Sequence, residues 1–195
     1  MRKLLRKRVL LPMICTLFIL IAPAVQASNL PYHSYTQDLS GEEVAIAAPY
    51  TVEAVLKSID GTTALNDPQD LCFKNGRIYV ADTGNNRVII LDETLSFVGE
   101  LSGLSGPSGV FATAENVYIS DTGNGRILKT DRDLHVLETF GKPEIAVLGD
   151  KYTYLPKKIA VDYAGRMYVI GQGINRGIIQ LNKDGSFFNF LGAPR

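Results

Sequence analysis

An all-β chain of repeated four-stranded sheets, the content of β-propeller blades, is predicted by three observations. Tyr79-Val80-Ala81-Asp82-Thr83-Gly84-Asn85-Asn86-Arg87 returns almost unchanged as Tyr118-Ile119-Ser120-Asp121-Thr122-Gly123-Asn124-Gly125-Arg126, 39 residues later. Pro68 with Pro107, Leu71 with Val110 and Asp92 with Asp131 keep the same offset, so a whole unit is copied, and a period near forty marks a repeat array. Outside the N-terminal leader no window carries an amphipathic helical period, while short β-rich runs alternate with turn formers.

The chain opens with Arg2, Lys3, Arg6, Lys7 and Arg8, an apolar run from Val9 to Ile21, and Val25-Gln26-Ala27 before Ser28. A charged start, an apolar run too short for a comfortable membrane span and a small-residue site predict a signal peptide over 1–27, removed on export. The five basic residues leave with it, so 15 basic face 20 acidic residues and the mature charge is about −5. Such a chain attracts neither nucleic acid nor anionic lipid by charge. Cleavage also removes Cys15 and leaves Cys72 without an intrachain disulfide partner. Residues 28–49, with Pro31, Tyr32, His33, Tyr35, Gly41 and Pro49 and no sustained period, read as a linker or strap.

Residues 50–195 form the repeat region. Blade one, 68–103, has β-rich runs Asp70 to Phe73, Arg77 to Ala81, Arg87 to Leu91 and Leu95 to Leu101, separated by Asn75-Gly76, Thr83 to Asn86 and Asp92-Glu93. Blade two, 107–141, gives Gly109 to Thr113, Asn116 to Ser120, Arg126 to Thr130 and Leu134 to Phe140. Blade three, 156–193, is a worn copy with Pro156 to Val161, Arg166 to Val169, Arg176 to Leu181 and Phe187 to Leu191. Between Pro107 and Pro156 the step is 49, the surplus falling in Lys142 to Leu155, and Gly171 stands where the other units have aspartate. Thr51 to Leu56, within 50–61, resembles the closing strands and reads as an orphan fourth strand.

Propellers close with about four to eight blades. About three blades and an orphan strand make an incomplete ring with two open apolar faces, which predicts the N-terminal part of a longer product or, alternatively, two copies completing a ring.

The stretch Tyr79 to Arg87, with Pro68-Gln69-Asp70-Leu71 upstream and the second copies of both, resembles the NHL repeat, a β-propeller unit. The leader, the Tyr32 to Glu42 strap and the Phe188 to Arg195 ending are similar to the start of bacterial exported NHL proteins, some of which continue into more propeller and a multi-span membrane domain. The resemblance implies an exported, extracellular or cell-surface product, its membrane attachment lying only beyond Arg195.

Asp82 ends a second strand and Arg87 begins a third, a spacing that lets arginine grip the carboxylate at a blade rim. Asn85 tolerates the left-handed backbone such turns need. Asp82, Asn85, Arg87 and their copies Asp121, Asn124 and Arg126 are read as a structural clasp, because folding devices recur in every repeat and catalytic residues seldom do. Strand direction puts the 82–87 and 121–126 turns, the 142–155 insertion and the 171–176 turn on one face, where loops carry ligand sites. On that face Arg176 lacks its carboxylate and is a candidate anion contact. Lys151, Tyr152 and Tyr154 are candidate charge and stacking partners, beside Gln172 and Asn175.

No catalytic residue, cofactor site or metal site is assigned. His33 and His135 are not placed to line a channel, Cys72 reads as a packed thiol, and no phosphate-binding glycine loop opens a helix. The expected function is a non-catalytic extracytoplasmic binding or scaffolding module for protein, peptide or cell-wall glycan, with self-association through open blade edges a further expectation. The alternative is a propeller enzyme resembling lactonases or amidating lyases, whose site further blades would complete; fold alone does not choose.

Overall fold

The computed structural model describes residues 34–46, 55–56, 58–59 and 63–192. The leader, the start of the strap and most of the orphan-strand segment 50–61 lie outside the described residues. The chain divides into two units, Met1–Ala54 and Val55–Arg195.

Within the first unit, part of the predicted strap is a hairpin of β1 (Ser34–Gln37) and β2 (Glu43–Ile46). Its turn is closed by the Asp38 carboxylate, whose Oδ1 accepts from the Ser40 and Glu42 amides at 2.8 and 3.0 Å. Periodicity missed it because each strand has four residues, too few for alternation to stand out.

Among the described residues the second unit holds three antiparallel sheets, each of four strands in simple up-and-down order. Blade one is β3 (Pro68–Lys74), β4 (Arg77–Asp82), β5 (Arg87–Asp92) and β6 (Phe97–Leu101). Blade two is β7 (Gly109–Ala112), β8 (Val117–Asp121), β9 (Arg126–Thr130) and β10 (Val136–Phe140). Blade three is β11 (Pro156–Val161), β12 (Met167–Gly171), β13 (Ile178–Leu181) and β14 (Phe187–Leu191). The only helical pieces among the described residues are 3-10 turns at Thr83–Asn85, Thr122–Asn124 and Ala146–Leu148.

The middle strands read Arg-Ile-Tyr-Val-Ala-Asp and Arg-Val-Ile-Ile-Leu-Asp, apolar on both faces, because both faces are covered. One core joins blades one and two: Tyr79, Ala81, Val88 and Ile90 meet Val110, Ala112, Val117, Ile119 and Leu128. A second joins blades two and three: Tyr118, Ile127 and Phe140 meet Ile159, Met167, Val169, Ile179 and Leu181. These sheets therefore stack face to face in sequence order.

Several strand starts differ from the sequence expectation: β3 opens at Pro68 instead of Asp70, β8 at Val117 instead of Asn116 and β12 at Met167 instead of Arg166, and β6 and β10 start later for a backbone reason. Leu95 and Leu134 have φ of 63° and 67°, so β6 and β10 begin only at Phe97 and Val136. A left-handed residue cannot continue a strand, and both leucines belong to the preceding turn.

Candidate functional site

The two NHL-like turns are built alike. Asp82 is fully buried and its Oδ1 accepts from the Asn66 amide at 2.7 Å. Its Oδ2 accepts from Asn85 Nδ2 at 2.8 Å and from Arg87 Nε at 2.8 Å. In blade two Asp121 accepts from the Ser105 amide at 2.8 Å, from Asn124 Nδ2 at 2.9 Å and from Arg126 Nε at 2.7 Å. Each carboxylate is thus surrounded by donors and tied to an arginine, which is how a buried charge is tolerated. Arg87 also reaches Glu100 Oε2 at 2.9 Å. The left-handed position is Asn86, φ 54°, matched by Gly125, φ 60°, and not Asn85, whose side chain closes the clasp instead.

These turns share an end of the sheets with the connections between blades. Leu104 N–H donates to Asn86 O at 3.1 Å, and Thr83 Oγ1 donates to Pro107 O at 2.6 Å. Thr122 Oγ1 repeats the bond to Pro156 O at 2.6 Å. The 142–155 insertion arrives at the same end, since a Cβ added to Gly125 would lie 2.9 Å from Tyr154 O.

The insertion holds itself by polar contacts. Lys142 Nζ lies 4.2 Å from the centre of the Tyr152 ring and donates to Asp150 O at 2.6 Å, and Tyr152 OH donates to Pro143 O. Lys142, Pro143, Glu144, Ile145, Asp150 and Tyr152 border an open pocket of about 590 Å³. Lys151 is exposed. Tyr154 is not a stacking surface: it is 4% exposed in the core between blades two and three. Its hydroxyl has no partner among the described residues, and burial pushes the phenol well above its ordinary pKa.

Blade three departs from the clasp in two ways. Gly171 removes the carboxylate, and Ile174 fills the space, its Cδ1 3.1 Å from where a Cβ on Gly171 would stand. The register also slips. Val169 pairs with Ile179, so Gly177, not Arg176, stands opposite Gly171, and β13 begins at Ile178 instead of Arg176. The turn is one residue longer than its counterparts, and the motif spacing hid this because Arg176 follows Gly171 at the same spacing as Arg87 follows Asp82. Arg176 is exposed and makes no hydrogen bond or ion pair to the described residues. Gln172 and Asn175 are exposed on the same turn, and Gln172 N–H donates to Leu155 O at 2.9 Å, which joins this turn to the insertion.

At the opposite end a second recurrent device is present. Asp92 Oδ1 accepts from the Thr94 and Ser96 amides at 2.8 and 2.9 Å, Asp131 Oδ1 from Asp133 and His135, both at 2.9 Å, and Asp162 Oδ1 from Ala164 and Arg166, both at 2.9 Å. The Asp92 and Asp131 offset was the available signal. A latch between blades one and two lies there too: Arg77 Nη1 donates to Arg132 O at 2.7 Å and Asp133 Oδ1 at 2.8 Å, and Tyr79 OH donates to Arg132 O at 3.0 Å. Cys72 accepts from the Ala112 amide at 3.3 Å. Among the described residues no group of three or more His, Cys, Asp or Glu side chains is placed to hold a metal ion.

Three face-stacked four-stranded sheets with a conserved geometry of rim clasp in the first two define a β-propeller chain. The model for the NHL repeat matches residues 65–91, so the chain carries an NHL repeat and its blades are consistent with the NHL-repeat β-propeller family. Among solved structures it is similar to hydrazine synthase of Kuenenia stuttgartiensis, with 12% identity and TM-score 0.53 over 74% of this chain and 40% of that one. It is also similar to a streptogramin B lyase, with 18% identity and TM-score 0.51 over 82% of this chain and 48% of that one. A catalytically inactive virginiamycin B lyase from Staphylococcus aureus with quinupristin matches at 11% identity and TM-score 0.52, over 83% of this chain and 50% of that one. The chain therefore spans half or less of these structures, and the likeness is one of fold. No curated protein matches by sequence.

Proposed function

We propose that this chain is a non-catalytic binding or scaffolding propeller, exported and working outside the cytoplasm, whose ligand is a protein, peptide or cell-wall glycan. The ligand rests on the face bearing the 82–87 and 121–126 turns, the 142–155 insertion and the 171–176 turn. The single observation that carries this reading is Arg176. On the first two blades the rim arginine is spent on a buried carboxylate, whereas in blade three it is exposed and unpaired among the described residues, on a turn bonded to the insertion. An exposed guanidinium without a partner among the described residues suits an anionic group, which arginine holds with two parallel hydrogen bonds.

Calorimetric titration with short Asp- and Glu-rich peptides and with a muramyl glycopeptide tests the proposal. Binding of one of these probes is expected, weakened about 10-fold by Arg176→Ala because one charge-assisted contact is lost. Equal affinity in wild type and variant, or steady release of a cleaved product, contradicts it.

A further inference from the structure

The end of the sheets away from the 142–155 insertion holds a second pocket, and the repeat shows why it is open. Between blades one and two that end is bridged. Asn75 Nδ2 donates to Ala114 O at 3.4 Å and Arg132 Nη2 to Asn75 O at 3.3 Å, beside the bonds from Arg77 and Tyr79 to the Arg132-Asp133 turn. At the 39-residue offset, blade two has Ala114, Asn116 and Tyr118 where blade one has Asn75, Arg77 and Tyr79. Alanine offers no side-chain donor, and Asn116 is too short to repeat the reach of Arg77; its Nδ2 donates to Thr130 O of its own blade at 3.3 Å. Among the described residues no hydrogen bond joins the 113–118 stretch to blade three. The gap left there is a pocket of about 550 Å³ between the 113–116 and 162–165 turns.

The lining joins aromatic surface to free polar groups. Tyr163 sits on a blade-three turn one residue longer than those of blades one and two, borders the pocket and is fully exposed. Tyr118, which also borders it, is only 6% exposed, yet its hydroxyl, unlike that of Tyr79, has no hydrogen-bond partner among the described residues. A phenol so far withdrawn from water favours a ligand that supplies the missing bond. Charge at the pocket is nearly balanced. Lys74 and Glu115 are both exposed, and Asp162 is tied to Arg166 Nε at 2.8 Å and accepts from Tyr168 OH at 3.0 Å. Neither an anion nor a cation therefore meets an excess of opposite charge.

The geometry points to a binding site for one neutral pyranose unit of a glycan, with its C–H face on the Tyr163 ring and its hydroxyls on Tyr118 Oη, Asn116 Oδ1 and Glu115. A pyranose combines an apolar C–H face with a rim of hydroxyls, which suits an uncovered aromatic ring beside uncharged donors and acceptors. The volume lies within the range of small-molecule sites. This site is separate from the anion-binding face proposed above and does not depend on it.

Saturation-transfer difference NMR titration of the full chain with maltose, cellobiose and N,N′-diacetylchitobiose tests this. Binding of at least one of these sugars is expected. Tyr163→Ala is expected to weaken it about 10-fold and Tyr118→Phe about 5-fold. The circular dichroism spectrum and urea midpoint stay unchanged in both variants, because Tyr163 is exposed and the Tyr118 hydroxyl bonds to no other described residue. Arg176→Ala leaves sugar binding as it is, which separates this site from the ligand face at the other end. Failure of all three sugars to bind overturns the proposal, as does a sugar held equally by wild type and Tyr163→Ala.

Discussion

At the scale of single residues, the carboxylates of Asp82 and Asp121 explain why a short motif recurs. Each is buried, each accepts three hydrogen bonds, and each is made tolerable by its arginine. Asp82→Ala leaves the Asn66 amide and the Nε of a nearly buried Arg87 without their acceptor, Arg87 keeping Glu100 alone, and is expected to cost about 3 kcal/mol in urea unfolding. Arg176→Ala, which breaks no bond to the described residues, is expected within about 0.5 kcal/mol of wild type. His135 offers a pH test. Its ring hydrogen-bonds Asp131 Oδ2 at 2.8 Å, and this carboxylate raises the imidazole pKa above its ordinary value. A raised folded pKa gives stability that is present below the ordinary imidazole pKa and lost as pH rises through the folded value. The NMR titration of His135 is therefore expected above the ordinary imidazole range and to return to it in Asp131→Asn.

At the scale of elements, the blades depend on close passage between sheets. A Cβ on Gly109, in β7, would lie 2.4 Å from Lys157 O of the neighbouring blade. Gly109→Ala is expected to destabilise by about 1–3 kcal/mol, read as a lower urea midpoint, because backbone rather than a flexible side chain blocks it. Strands were legible wherever apolar runs ended in strong turn formers, as at Arg77 to Asp82 and Arg87 to Asp92. They were illegible where one residue changed hand, as Leu95 and Leu134 do, since a leucine with positive φ carries no sequence mark. The clasp residues could be named because both copies repeat them. The slip at Arg176 could not, because an added turn residue changes pairing without changing composition. Tyr154 was misplaced for a related reason: the insertion has no second copy to show which of its side chains turn inward.

At the scale of the whole molecule, three blades stack through two apolar cores and gather their variable parts at one end. The repeated clasps stabilise that end, and the unrepeated pieces, the 142–155 insertion and the longer turn before Gly177, distinguish it from the opposite end with its Asp92 and Asp131 turns. That asymmetry is why the proposed ligand face is the end that bears the insertion. Hydrogen exchange followed by mass spectrometry, with and without a saturating acidic peptide that binds in the titration, tests this most directly. Protection confined to amides of 142–155 and 171–177 is predicted; protection appearing instead at 92–96, 131–135 and 162–165 would contradict it.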